Sequence, residues 1–122
     1  MADHFRAHGR RPVRLGVTLR NERAPWERAA TVHDLHIAGA GVETDEPLVV
    51  GDRVTIAFMT PTRWDPLVIQ AIVAWAHPLR QKQEVDVLGR PKQSARSGLT
   101  FDYESPESTL AMYEMLEAIN FE

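Results

Sequence analysis

Arg10, Arg11 and Arg14 lie close together near the start of the chain, and a later stretch carries Asp34, His36, Gly39 and Gly41. Arginine presents a planar, permanently charged fork that pairs bidentately with phosphate or the Hoogsteen edge of guanine and stacks on a base. A carboxylate such as Asp34 accepts two hydrogen bonds, as the N1–H and N2–H edge of a guanine demands. Glycines at 39 and 41 permit either positive φ or close backbone approach to a ligand. Each feature alone has a plainer reading, since arginines beside a strand commonly guard an exposed edge, and Asp, His and Gly between strands are commonly turn chemistry. Two arginines four positions apart, just before a strand and accompanied by an Asp-containing glycine turn, form a clamp suited to a purine nucleotide.

Other chemistries find less support. The chain has no cysteine, which excludes disulfides, thiolate catalysis and cysteine zinc sites. His33, Asp34 and His36 are close enough in sequence to raise the question of a metal, but strand alternation sends His33 and Asp34 to opposite faces. No nucleophile with a base, phosphate-cradling loop or supported pair of catalytic acids is recognisable. No catalytic residue, metal or cofactor is therefore expected.

The formal charge of −3 argues against general nucleic-acid affinity, so DNA and RNA are not expected partners. The balance is uneven. Before Pro25, Arg6, Arg10, Arg11, Arg14, Arg20 and Arg23 face only Asp3 and Glu22, whereas no Lys or Arg follows Asp102. A basic arm on an acidic domain favours a small anionic ligand or an acidic partner surface. The first residues lack the apolar segment of a secretory signal and no apolar run is long enough to span a membrane, so a cytoplasmic protein without membrane insertion is expected.

The elements that must position these residues are mostly strands. Residues 1–9 have no period and read as a flexible arm, and residues 10–122 read as one domain. Val13, Leu15, Val17 and Leu19 alternate with Arg14, Gly16, Thr18 and Arg20, a period of two. Trp26 to His33 forms a second strand that delivers Asp34 at its end; Ala40 to Thr44, Arg53 to Met59 and Leu67 to Trp75 follow. The last is nearly apolar on both faces and is expected to be central. Pro78 to Ser97 shows no convincing order, though Glu84 to Leu88 marks a short hairpin, and Gly98 to Tyr103 closes the sheet. Ser105 and Pro106 then open a helix over about 106–121, with Leu110, Met112, Tyr113, Leu116 and Ile119 as its apolar stripe.

Arg10-x-x-x-Arg14 followed by Asp34-x-His36-x-x-Gly39 resembles the paired signature of PilZ domains, Arg-x-x-x-Arg and then Asp or Asn-x-Ser-x-x-Gly. Val73-Ala74-Trp75 and Gly98-Leu99-Thr100-Phe101 resemble that family's Val-x-Trp and closing Gly-x-x-Phe strands. The resemblance implies an all-β fold, a six-stranded antiparallel β-barrel with one C-terminal helix, that binds the bacterial second messenger cyclic di-GMP. By the same resemblance Arg10 and Arg14, with Arg11 beside them, grip guanine and phosphate, while Asp34 and Gly39 form a rim around guanine. His36 stands in the place of the family serine, where its ring either donates a hydrogen bond, more strongly if it gains a proton at low pH, or crowds the ligand. Members with degenerate motifs act as protein-interaction modules. The implied partners are thus cyclic di-GMP and an unidentified protein of a motility, polysaccharide-secretion or signalling system, with homodimerisation left open.

Overall fold

The computed structural model describes residues 11–24, 26–59 and 64–119. The expected arm, Arg10, the turn at Pro25, the loop at 60–63 and the last three residues lie outside them. Seven strands and one helix follow in order among the described residues: β1 (Arg11–Asn21), β2 (Glu27–His36), β3 (Gly39–Thr44), β4 (Arg53–Phe58), β5 (Leu67–Ala76), β6 (Arg80–Val85), β7 (Pro91–Asp102) and α1 (Pro106–Ala118). The strands run in the order β3-β2-β1-β4-β5-β7, and β3 also pairs with β7, which closes a six-stranded antiparallel barrel. Closure leaves those six strands no free edge along the ring.

Alternation explains why these runs became barrel strands, because each puts one face inside. Leu19, Val32, Val42, Val54, Ile56, Phe58, Ile69 and Val73 are essentially inaccessible and fill the interior. Phe58 and Phe101 meet edge to face across it, with centroids 6.3 Å apart. β5, expected to be apolar on both faces, buries Leu67, Ile69, Ala71 and Val73 but leaves Val68 and Ala74 outside. A barrel has no central strand to bury twice over.

Residues 78–97, which show no convincing order in the sequence beyond a short hairpin signal, form a regular hairpin. β6 pairs with the first half of β7 as a hairpin that stands off the barrel, with Arg80 opposite Ser94 and Val85 opposite Pro91. Its tip is pinned by Asp86, whose Oδ1 accepts from the N–H groups of Leu88 and Arg90, and Gly89 takes φ +78° there. The Glu84 to Leu88 hairpin signal marked that tip.

Ser105 caps α1 by accepting from the N–H of Ser108, and Pro106 and Glu107 suit the first turn. The helix covers one mouth of the barrel with Ala111, Met112 and Met115, against β5. Leu116 and Ile119 pack at the margin, but Leu110 and Tyr113, read as part of the buried stripe, face solvent. Ala111 sits inward in their place, beside Met112 and Met115.

Candidate functional site

The stretch from Asp34 to Val42 is strand for most of its length, not an exposed loop. Asp34 and His36 belong to β2 and Gly39 and Gly41 to β3, with only Ile37 and Ala38 between the strands. That turn is held from behind. Ala38 O accepts from the N–H of Phe101 at 2.8 Å, and the Tyr103 hydroxyl donates to Ile37 O. Burial, and then neighbouring Tyr113, push the Tyr103 hydroxyl up to about 12, so it remains a donor throughout the ordinary pH range. Tyr103→Phe is expected to cost about 1 kcal/mol, read as a lowered urea midpoint without loss of the barrel's circular dichroism.

β-Bulges decide which way the side chains on this face point. The β2–β3 register slips between Val32 and Asp34, so His33 and Asp34 both turn outward; the alternation that would have sent them to opposite faces is broken. A second slip lies in β1 between Pro12 and Leu15, around Arg14, and a third in β5 between Val73 and Trp75. Asp34 lies over Gly41, where a Cβ would come within 2.5 Å of its Oδ2. Trp75 lies over Gly98, where a Cβ would meet the indole Nε1 at 2.1 Å. Gly41 and Gly98 are paired on neighbouring strands β3 and β7, so carboxylate and indole sit side by side on a floor of two glycines. Neither Gly39 nor Gly41 has positive φ. Gly39 is needed for another reason: its Cβ would fall 2.2 Å from Leu99 O.

His36 uses its Nδ1 to accept the Ala38 N–H at 3.0 Å, a bond across the turn that a serine hydroxyl could also make. That assignment leaves the Nε2–H as a donor. Arg14 is exposed on the outer face of β1. Arg11 opens β1, but its side chain, like Arg10, is outside the described set. The structure therefore brings together Arg14, Asp34, His36 and Gly39 from the sequence-based group.

A charged row beside this floor was not anticipated. Glu43 on β3 meets Lys82 Nζ at 2.6 Å, His33 Nε2 at 3.5 Å and Arg96 Nε at 3.8 Å. A groove of about 730 Å³ beneath the β6–β7 hairpin shares Glu43 and Lys82 with it. Burial, Arg96, Arg14 and Lys82 lower the His33 pKa against the opposing pull of Glu43. A histidine depressed in the folded state takes its proton more readily when unfolded, so its contribution is intact above about 6.5 and lost as pH falls below that. Wild-type stability should therefore drop below pH 6.5 more steeply than that of His33→Gln, measured by urea unfolding across pH 5 to 8. Among the described residues, no group of three or more His, Asp or Glu is arranged to hold a metal ion, and no helix is long and apolar enough to cross a membrane.

The sequence profile of the PilZ domain matches residues 4–110. The chain belongs to the PilZ domain family. PilZ domains are a family of cyclic di-GMP-binding receptor and adaptor domains. Similar solved structures include the PilZ domain of YcgR from Escherichia coli, determined with c-di-GMP, at TM-score 0.62 and 14% identity over 89% of this chain and 87% of that one. The PilZ domain of CeSA from a cellulose-synthesizing bacterium matches at TM-score 0.61 and 18% identity, covering 88% of this chain and 97% of that one. The Bacillus subtilis inhibitor of motility MotI/DgrA matches at 0.56 and 14%, over 92% of this chain and 52% of that one. At such identities the likeness is one of fold. No curated protein sequence matches the chain. In this PilZ domain, Glu43, Lys82 and Arg96 escaped the sequence reading, His33 was weighed only as a metal ligand, and Trp75 and Gly98 were read only as parts of strand motifs, so their contact was not foreseen.

Proposed function

We propose that this protein is a non-enzymatic receptor for cyclic di-GMP, and that it passes the signal to a protein partner. The observation that carries the reading is the floor of Gly41 and Gly98 with the Asp34 carboxylate and the Trp75 indole side by side above it, next to exposed Arg14. A guanine set there would give its N1–H and N2–H to Asp34 and its face to the indole, an arrangement worth about 1–3 kcal/mol per stacked base. Arg14, with Arg10 and Arg11 from the adjoining chain, supplies charge for the two phosphates. The YcgR domain, solved with c-di-GMP, shares the barrel and supports the same ligand class here.

His36 fits this reading as an acceptor for the turn and a donor outward. The expected gain in affinity at low pH through this ring is opposed by its geometry, because a proton on Nδ1 would displace the Ala38 N–H. His36→Ser is expected to keep binding within about threefold, since a hydroxyl replaces the turn bond. If that change instead creates binding in a protein that had none, the ring blocks the site, and a nucleotide-independent adaptor is the better account.

Isothermal titration calorimetry with cyclic di-GMP tests the proposal. A dissociation constant near micromolar, about −8 kcal/mol, supports it. A silent titration, together with partner capture indifferent to the dinucleotide, supports the adaptor.

A further inference from the structure

We propose that Glu43 limits the affinity of this face for a dianionic ligand by holding the cations that such a ligand draws on, an inference that rests on the cyclic di-GMP reading above. Glu43 projects from the same outer face of β3 as Gly41, two residues away, which places their backbones roughly 7 Å apart. It therefore sits one strand repeat from the glycine that carries the Asp34 carboxylate. Lys82 reaches it from β6, Arg96 from β7 and His33 from β2, while Arg14 on β1 lies within electrostatic range of His33.

The three contacts are not equivalent. The Lys82 bond, at 2.6 Å, ties the β6–β7 hairpin to the barrel wall. The Arg96 contact is loose, at 3.8 Å through Nε with the side chain 56% exposed, so its guanidinium has room to turn toward another anion. Although burial pushes the Glu43 carboxyl up, the Lys82 hydrogen bond and the charges of Lys82, His33 and Arg96 outweigh it and hold the carboxyl below its ordinary range. Glu43 is thus charged when the ligand arrives. It repels the phosphates and competes for Arg96. Two permanent cations, Lys82 and Arg96, share this carboxylate, and Arg14 stands further along the row beside His33.

Replacing Glu43 by glutamine keeps the shape and an acceptor for Lys82 but removes the competing charge. Glu43→Gln is expected to bind cyclic di-GMP about threefold to tenfold more tightly than wild type, with the gain shrinking at high salt. Lys82→Gln, which leaves Glu43 less neutralised, is expected to weaken binding by a similar factor. Both are measured by calorimetry at two salt concentrations, with thermal unfolding confirming the fold. Wild-type binding accompanied by an unchanged or weakened Glu43→Gln overturns this proposal and leaves the receptor reading standing. A flat wild-type titration and a flat Glu43→Gln titration, with both proteins folded, overturn the receptor reading and this proposal together.

Discussion

Arg14→Ala is expected to weaken cyclic di-GMP binding more than tenfold. A charge-assisted hydrogen bond contributes about 1.5–3 kcal/mol, and each 1.4 kcal/mol is a factor of ten in affinity. Arg14 stands exposed in the β1 bulge, where Arg11 pairs with Leu35 on one side of the irregularity and Leu15 with Val32 on the other. Its side chain adds nothing to the interior. Removing it should leave the unfolding midpoint within the roughly 0.5 kcal/mol typical of surface changes, so any lost affinity reports on the ligand. Arg10→Ala is expected to act in the same direction. Calorimetry and urea unfolding of both variants check this, and unchanged affinity in both removes the arginine clamp from the account.

The second large effect separates binding from folding at two glycines. In Gly41→Ala, the new methyl lies 2.5 Å from Asp34 Oδ2, the far end of a side chain, which gives way more readily than backbone. The barrel survives, but the carboxylate leaves the place where guanine would meet it. Binding is then expected to fall at least tenfold while stability changes little. Gly39→Ala puts its methyl 2.2 Å from Leu99 O, a backbone atom fixed by the β3–β7 ladder that closes the barrel. No side-chain movement relieves that clash, so a loss of roughly 1–3 kcal/mol or more is expected. Urea unfolding should therefore rank Gly39→Ala well below Gly41→Ala, and calorimetry on the folded fraction should find Gly41→Ala deficient.

The six barrel strands were legible because each has a dry face and a wet face, and that difference writes a period of two into the sequence. β6 was not, because its hairpin stands off the barrel and Arg80, Gln81, Glu84 and Val85 are all exposed, which leaves no alternation to read. The helix was read with the right start, but its stripe gave Leu110 and Tyr113 to the interior, where the packing takes Ala111 and Met115.

In the candidate site, Arg14, Asp34, His36 and Gly39 were picked out by motif order, while Arg10 and the Arg11 side chain lie outside the described residues. What the spacing could not show was direction. A one-residue bulge turns His33 to the same face as Asp34, and another lays Trp75 over Gly98; neither bulge has a proline or glycine at its centre to betray it. Glu43 drew no notice in the sequence because its partners Lys82 and Arg96 lie in the 78–97 stretch, where only a short hairpin at Glu84 to Leu88 was legible. Of the two roles open to Gly39 and Gly41, positive φ and close approach, the structure shows close approach, to the Leu99 carbonyl and the Asp34 carboxylate.

The central claim is that cyclic di-GMP binds on the outer face at Asp34, Gly41, Gly98 and Trp75. Proton–nitrogen correlation spectra of the intact chain, recorded during titration with cyclic di-GMP, test it most directly. The account predicts that the amides of Gly41 and Gly98 and the Trp75 indole N–H shift together in a saturable way. The amides of Met112 and Met115, on the buried side of α1, should stay in place. A titration that leaves the glycines and the indole unmoved, or that moves the helix instead, contradicts it.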